Sequence, residues 1–256
     1  ALPRDGPQQR RAAHWDQPAD QRAASAWVHL QRESLDAWKD QSYVLWGVKQ
    51  ECLSRTLFPV GGFEKPAIRR MAAEMGFHEL ANKPESYEIC FIPDNDYRSF
   101  LKRRVEGIEE KLAGGKFINR KGEVLGQHKG YPFYTIGQRK GLDIALGEPA
   151  YVIDIQPSDN VVVLGSFEEL QKQEMRVRDL NLMKYASLEN PLETVTRIRY
   201  KDKGTPSTLV PDGDRLKVLF HAPVAAVTPG QSAVFYEGDD VVGGGFIAPA
   251  DDLQPN

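Results

Sequence analysis

The second half of the sequence alternates short apolar runs with turn clusters, and this pattern limits the possible folds more than any other feature. The runs are MRVRDLNLM, ETVTRIRYK, DRLKVLFHAPV and QSAVFYEGDDVVGGGFIA. Clusters rich in Pro, Asp, Glu and Gly separate them, as at 211–214 and 237–240. Regular short strands with such turns predict an antiparallel β-barrel domain over residues 169–256. Glycines 243–245 predict a bulge or a sharp barrel corner, because no helical pattern follows them as a phosphate loop would require.

Residues 39–93 have the pattern of short helices. Polar and bulky apolar residues mix up to Pro59 and the pair Gly61–Gly62. A helix is then predicted, with Pro66 in its first turn and Gly76 as its stop. Its apolar face consists of Ile68, Met71, Ala72 and Met75. The preceding residues 1–38 have no sustained period and predict a poorly ordered lead-in.

Residues 94–168 combine one helix with short strands and predict a small central α/β domain. Asp94, Asn95 and Asp96 can cap a helix over residues 96–105. GKFINRKGEVLG predicts two strands around Arg120–Gly122, and AYVIDIQPSDNVVVLG predicts a hairpin about Pro157–Asn160. The predicted fold class is therefore α+β, with a helical segment, a central α/β domain and a C-terminal barrel.

Length and composition indicate a soluble protein of more than one domain. The chain has 256 residues, of which 41% are hydrophobic and 27% charged. No apolar stretch is long enough to span a bilayer, and no secretory leader opens the sequence. Two cysteines do not make a disulfide framework and fit a reducing compartment, so we expect a cytoplasmic location. His14 and His29 lack companions at metal-ligand spacing, so no metal site is predicted.

The net charge of −3 conceals a strong local asymmetry. Residues 97–140 carry eleven Lys or Arg against four Glu, whereas residues 205–256 carry two basic against seven acidic residues. The basic stretch includes HKGYPFYTIGQRKGL, where aromatic and cationic side chains interleave. Such a stretch suits stacking on bases and pairing with phosphates. It equally suits a core strand beside a solvated mixed-charge surface, and the residues alone leave both interpretations open.

Cys90 lies at the boundary between the helical and the mixed regions, in KPESYEICFIPDNDYRSFLKRRV. Pro93 prevents its apolar run from continuing as a central strand, and the helix predicted after it begins close by. A helix N-terminus and the basic side chains of that helix would favour a thiolate, which would make Cys90 a nucleophile or a sulfur carrier. The alternative is a small buried hydrophobic residue, the commonest role of a single cysteine in an apolar run.

Five motifs in order resemble the tRNA-specific 2-thiouridylases, from about Lys39 to the C-terminus. They are KDQSYVLWGV, LSRTLFPVGG, YEICFIPD, HKGYPFYTIGQRKGL, and TPGQSAVFY with GGGFI. The resemblance implies a tRNA-uridine 2-sulfurtransferase, which replaces the C2 oxygen of the wobble uridine of tRNA by sulfur. In that family ATP activates the oxygen as an adenylate, and a cysteine persulfide delivers the sulfur. Cys90 matches the persulfide cysteine and is the predicted catalytic residue.

The resemblance also implies partners and contact residues. The partners would be tRNA and a sulfur donor protein, either a cysteine desulfurase or a relay protein. The tRNA-binding residues carried over are Lys39, Asp40, Gln41, Arg199, Tyr200 and Gln231. Among these residues, the cationic side chains can contact phosphates, while the aromatic ring and the amides can contact loop nucleotides. The purely structural alternatives are core packing for Tyr200 and a helix cap for residues 39–41.

The sequence also departs from the family pattern. The SGGVDS phosphate loop and the second cysteine that resolves the persulfide are absent from these residues, and residues 39–93 match only the end of the adenylation domain. We therefore expect the chain to bind no ATP, to be inactive alone, and to need a separate adenylating domain. Cys52 is interpreted as a core or surface residue, while Glu85 and Tyr87 differ from the usual DSQEICFI. Two alternatives remain: an RNA-binding module without chemistry, and an inactive product of a truncated gene.

Overall fold

The computed structural model describes residues 33–84, Ile92 and residues 96–249. The chain forms two compact units, each assembled from separate stretches of sequence. The first, here called the barrel unit, comprises Ala1–Ile68, Arg176–Leu219 and Gly230–Asn256. The second, the central unit, comprises Arg69–Met175 and Phe220–Pro229. The four-part division predicted from the sequence stays a prediction, and most of its lead-in lies outside the described residues.

The helical segment predicted before Cys90 is present as short helices. They are the 3₁₀ helix Ser42–Leu45 and the α-helices α1 (Gln50–Leu53), α2 (Lys65–Glu74) and α3 (His78–Asn82). α2 confirms the helix predicted from the spacing of its apolar residues. Pro66 is its second residue, and Gly76 follows its end with a φ of 88°, a value that favours glycine.

The helix predicted at 96–105 is α4 (Tyr97–Arg104), followed by α5 (Ile108–Lys111). Asp96 is its N-cap, and its Oδ1 accepts a hydrogen bond from the Ser99 amide at 3.0 Å. The Ser99 hydroxyl donates to the other carboxylate oxygen, and these bonds hold the pKa of Asp96 below its usual range. The prediction of a capped helix is therefore confirmed, with Asp96 as the capping residue.

A four-stranded sheet forms the core of the central unit. Its strands are β1 (Gly115–Ile118), β2 (Val124–His128), β3 (Tyr151–Gln156) and β4 (Val161–Gly165), in the order β2-β1-β4-β3. β1 pairs antiparallel with β2 and parallel with β4, while β3 and β4 form the predicted hairpin. Phe117, Val152 and Val162 are completely buried in its core. Both strand pairs predicted in this region are thus confirmed.

His128 is a buried imidazole at the end of β2. It is 6% exposed, and its ring packs edge-on against Phe117 and at a tilt against Tyr134. Its Nδ1 accepts a hydrogen bond from the Gly130 amide at 3.0 Å, which identifies the neutral tautomer with the proton on Nε2. That Nε2 has no hydrogen-bond partner among the residues that the structure describes. Burial accordingly lowers the pKa of His128.

This buried imidazole predicts that acid weakens the fold. Because the folded chain holds His128 neutral, the unfolded chain binds the extra proton as the pH falls below about 6.5, the ordinary pKa of histidine. The His128 contribution to the free energy of unfolding then falls by at most about 1.4 kcal/mol per pH unit. We expect urea denaturation to show that the free energy of unfolding of the natural chain, relative to that of His128→Gln, decreases as the pH is lowered. His78→Gln, at an exposed position, is the control, and a difference independent of pH would contradict the prediction.

The barrel unit is built on a closed six-stranded barrel. Its strands are β5 (Gln171–Leu182), β6 (Leu192–Arg197), β7 (Thr205–Asp212), β8 (Arg215–Ala225), β9 (Ser232–Glu237) and β10 (Asp240–Ile247), in the order β10-β5-β8-β7-β6-β9. The predicted barrel is confirmed, and closure leaves its strands without a free edge. β7 was not among the predicted strands, because Pro206 and Pro211 interrupt its apolar pattern.

The glycine triplet 243–245 lies in β10 where the strand pairing shifts on both sides. The register with β9 shifts between Val241 and Gly243, and the register with β5 shifts between Gly244 and Phe246. A methyl group on Gly244 would lie 2.7 Å from the Ala233 carbonyl oxygen and 2.8 Å from Trp46 Cγ. The predicted bulge is therefore confirmed, and the glycines allow neighbouring backbone and the Trp46 ring to approach β10 closely.

Among the described residues, no helix has the length and apolar character needed to cross a membrane.

Candidate nucleic-acid interface

The Lys39–Gln41 segment lies in a tight turn before the 3₁₀ helix. Asp36 organises this turn, because its Oδ1 accepts from the Trp38 amide at 3.1 Å and its carbonyl accepts from the Lys39 amide at 3.0 Å. Its Oδ2 also accepts from the Lys65 amide at the start of α2, at 2.9 Å. The backbone of the segment is therefore fixed by a carboxylate three residues upstream of Lys39.

Within this segment the side chains have different surroundings. Asp40 is 9% exposed, and its carboxylate accepts from the Ser34 amide at 2.8 Å and from the Ser42 hydroxyl at 2.5 Å. Gln41 is exposed and Lys39 is half-buried. The Asp40 carboxylate is thus used within the protein, which leaves Lys39 and Gln41 as the side chains of the segment with access to solvent.

Arg199 and Tyr200 lie on the loop between β6 and β7, and both are exposed. Asp202 holds this loop: its carboxylate accepts from the Ile198 amide at 3.2 Å and from the Gly204 amide at 3.1 Å. The Asp202 amide in turn donates to the Arg199 carbonyl at 3.1 Å. Tyr200 is 41% exposed, so it is not packed in the core.

Gln231 lies directly before β9 in an exposed position. Its carbonyl accepts from the Ile247 amide at 2.8 Å, and the Gly230 amide donates to the Ile247 carbonyl at the same distance. Gly230 has a φ of 81°, so the turn needs a residue that tolerates the left-handed region. The backbone on both sides of the Gln231 side chain is therefore anchored to β10.

Tyr43 connects two of these parts of the barrel unit. Its hydroxyl donates to the carbonyl of Ser232, the neighbour of Gln231, at 2.8 Å. Burial raises the pKa of Tyr43 to about 12, the nearby Tyr236 and Asp202 add to the rise, and the Arg199 charge opposes it. The Tyr43 hydrogen bond thus links the helix that follows the Lys39–Gln41 segment to the backbone beside Gln231.

The local charge favours an anionic partner. The β6–β7 loop has the sequence RYKDKG, with three cations against the single carboxylate of Asp202. That carboxylate accepts two backbone hydrogen bonds, so it is not directed at a ligand. A cationic loop can hold phosphates, and an exposed tyrosine can stack on a base.

The cysteines can be placed only in part. Cys90, together with Glu85 and Tyr87, lies outside the described residues, so its predicted catalytic role stays a prediction. Cys52 is an exposed free thiol on α1. Within the described part of the chain, no group of three or more His, Cys, Asp or Glu side chains could hold a metal ion.

The aromatic and cationic stretch at 128–142 contributes to the core of the central unit. Phe133 and Tyr134 are buried, and the Phe133 carbonyl accepts from the Tyr97 hydroxyl at 2.7 Å and from Arg98 at 3.2 Å. These aromatic rings are therefore not available as a stacking platform. A cleft of about 530 Å³ lies beside them. Its lining residues are Asp96, Tyr97, Arg98, Thr135, Ile136 and Gln138.

Sequence reasoning did not single out four residues that organise the interface: Ser42, Tyr43, Arg197 and Tyr236. Two of them, Ser42 and Tyr236, contact each other across 194 positions of sequence. Tyr236 continues the apolar pattern of β9, and Tyr43 lies in a helical pattern, so neither stands out as polar. No spacing rule connects residues so far apart, and only the folded barrel brings them together.

Three family models match the chain in succession. They are the tRNA methyl transferase HUP domain over residues 13–94, the tRNA methyl transferase PRC-barrel domain over 98–166, and the aminomethyltransferase beta-barrel domain over 172–247. The first match begins well before Lys39, so the family sequence includes part of residues 1–38, which were predicted to be a poorly ordered lead-in.

Curated relatives with the name tRNA-specific 2-thiouridylase MnmA are similar to most of the chain. The protein of Amoebophilus asiaticus is 60% identical over 213 residues, which is 83% of this chain and 57% of the relative. Those of Cytophaga hutchinsonii and Salinibacter ruber are 56% and 54% identical and are covered to 59% and 57% of their lengths. The chain therefore spans somewhat more than half the length of these relatives. The models' names refer to methyl transfer, whereas the relatives are named for thiolation.

Proposed function

Because the chain belongs to the tRNA-specific 2-thiouridylase family, we propose that it binds tRNA on the barrel unit and transfers sulfur from Cys90 to C2 of the wobble uridine. The observation that supports the binding part is that Tyr43, two residues after Gln41, donates to the carbonyl of Ser232, the neighbour of Gln231. Single-stranded loops of RNA expose bases and phosphates together, and this surface combines cations with an exposed aromatic ring and two amides.

The proposed chemistry divides the work between this chain and an adenylating domain. ATP would activate the C2 oxygen as an adenylate, and that step is assigned to a domain outside these 256 residues, since they contain no SGGVDS loop. The terminal sulfur of the Cys90 persulfide would bond to C2 as the C2–O bond breaks and AMP leaves. A second thiol, which the proposal assigns to the adenylating domain, would then attack Cys90 Sγ. The sulfur–sulfur bond breaks, the outer sulfur stays on C2, and Cys90 is left in a disulfide.

A sulfur donor protein is the second partner of this proposal. The persulfide must be formed on Cys90 before each turnover, and its sulfur comes from a cysteine desulfurase or from a relay protein. A thiolate at Cys90 would be needed to accept that sulfur, whereas the leaving group of the final exchange is the sulfur bound to C2 of the uridine. The proposal places all of these reactions in the cytoplasm, where reduced thiols persist.

The binding part is tested by tRNA titration of three alanine variants at several salt concentrations. We expect Lys39→Ala and Arg199→Ala each to weaken binding by about 3- to 10-fold, and to reduce the slope of log affinity against log salt by about 0.7 to 0.9, as loss of one phosphate contact does. Arg215→Ala is the matched control. Arg215 follows the turn at the opposite end of β7 from the Arg199 loop, so its removal should leave affinity almost unchanged.

Two results would contradict the binding proposal. One is a natural chain that binds tRNA no better than a chain with Lys39 and Arg199 both replaced. The other is an equal loss in all three single variants, which would indicate non-specific attraction by total charge.

A further inference from the structure

A chain of hydrogen bonds joins the barrel wall to the Lys39–Gln41 segment. The hydroxyls of Tyr236 and Ser42 are 3.1 Å apart, and the Ser42 hydroxyl donates to Asp40 Oδ2 at 2.5 Å. Since Ser42 has a single hydroxyl proton and gives it to Asp40, Tyr236 must be the donor to Ser42. The phenol on β9 is therefore one end of a directed chain whose other end is the carboxylate inside the Lys39–Gln41 segment.

The phenol is held in a fixed place on the barrel. Tyr236 is 2% exposed, and the guanidinium of Arg197 lies over its ring, 4.3 Å from the centroid. Arg197 also forms an ion pair with Glu33, and the Glu33 amide donates to the Asp239 carbonyl at 2.9 Å. A cation above the ring and full burial leave the phenol little freedom to reorient.

The Asp40 carboxylate is buried together with its donors. Such a charge is costly to bury unless its oxygens are satisfied, and here the Ser34 amide and the Ser42 hydroxyl satisfy them. If the Tyr236 hydroxyl is removed, the Ser42 hydroxyl loses its donor and the segment loses one direct bond to β9. The ring, its packing and the Arg197 contact can all remain with phenylalanine in that position.

We propose that Tyr236 is a positioning residue for tRNA binding: through Ser42 and Asp40 it holds Lys39 and Gln41 on the same side of the barrel as Arg199 and Gln231. This inference rests on the proposed function. Tyr236 is buried and does not itself contact RNA, so its effect on binding passes through the segment that it holds.

Tyr236→Phe isolates this effect. We expect tRNA affinity to fall about 3- to 10-fold, the range that one net hydrogen bond corresponds to. Tyr185→Phe is the matched control, because the Tyr185 hydroxyl is in the same unit but donates to Glu237 at 2.7 Å, outside the chain of bonds from Tyr236 to Asp40. It should lose less than about 2-fold in affinity, as expected for a change away from the binding surface.

A double-mutant cycle separates positioning from general destabilisation. If Tyr236 acts through the segment, most of its effect on affinity disappears when Lys39→Ala is already present, so the two changes are strongly non-additive. Additive losses, or an equal loss in Tyr185→Phe, would overturn the inference.

Hydrogen exchange tests the same inference without tRNA. The amides of Val44 and Val48, which bond to the Gln41 and Leu45 carbonyls, should exchange about 3- to 10-fold faster in Tyr236→Phe. Amides in β7, away from this contact, should not change. If the exchange rate at Val44 is the same in Tyr236→Phe as in the natural chain, the positioning role is overturned, even when the natural chain binds tRNA. A natural chain that does not bind tRNA would overturn the proposed function, while the exchange measurement would still report on Tyr236.

Discussion

Replacing Cys90 by serine is expected to remove all sulfur transfer. A serine hydroxyl cannot form a persulfide, so a chain incubated with a cysteine desulfurase and radiolabelled cysteine should lose the reducible label that Cys90 carries. The same variant should form no 2-thiouridine when an adenylating domain from a relative, ATP and tRNA are supplied. Labelling is measured on non-reducing gels, and thiouridine by mass spectrometry of digested tRNA.

Cys52→Ser is the matched control for this experiment. Cys52 is the other cysteine of the chain and is exposed, so it can acquire label without having a role in the reaction. We expect Cys52→Ser to keep thiouridine formation and the label on Cys90. A label that depends on Cys52 and not on Cys90 would contradict the proposed chemistry. A chain that binds tRNA normally but never acquires label would favour the alternative of an RNA-binding module without chemistry.

The largest loss of stability is expected from Gly243→Ala. A methyl group at this position would lie 2.9 Å from Leu182 Cα and closer still to the Asn181 carbonyl oxygen. Both obstacles are backbone of the neighbouring strand β5, which cannot move aside without breaking the pairing of β10. We expect the free energy of unfolding to fall by about 3 kcal/mol or more, as for other steric insertions into a packed core. Urea denaturation of the purified variant gives this value.

Gly62→Ala is the control for a glycine without such contacts. An added methyl group at Gly62 would meet no atom within 4 Å, so we expect a change of less than about 0.5 kcal/mol. A change in the free energy of unfolding for Gly243→Ala as small as that for Gly62→Ala would contradict the prediction. It would mean that the backbone of β5 can make room for the added methyl group.

The fold could be predicted from local patterns to a large extent. Short strands, turn clusters and capping residues are encoded within a few positions of each other, which is why α2, α4, the β3–β4 hairpin and the barrel could be anticipated. β7 could not, because Pro206 and Pro211 interrupt the apolar alternation on which a strand prediction depends.

The candidate interface was harder to predict, for a physical reason. Lys39, Arg199 and Gln231 could be proposed only from resemblance, since no sequence spacing shows that they meet. The contacts that join the Lys39–Gln41 segment to β9, Tyr43 with the Ser232 carbonyl and Ser42 with Tyr236, span 189 and 194 positions of sequence. The burial of the Asp40 carboxylate could not be predicted from the sequence either, because a charged residue in a polar turn is usually exposed.

The contact between Ser42 and Tyr236 has a consequence for protein synthesis. Because 194 positions separate the two residues, a ribosome must translate almost the whole barrel before the early Lys39–Gln41 segment can dock on β9. Pairings this distant in sequence form late, since the ends of a long loop must first find each other. A nascent chain therefore carries the Lys39–Gln41 segment through the synthesis of most of the barrel without the contact that anchors it to β9.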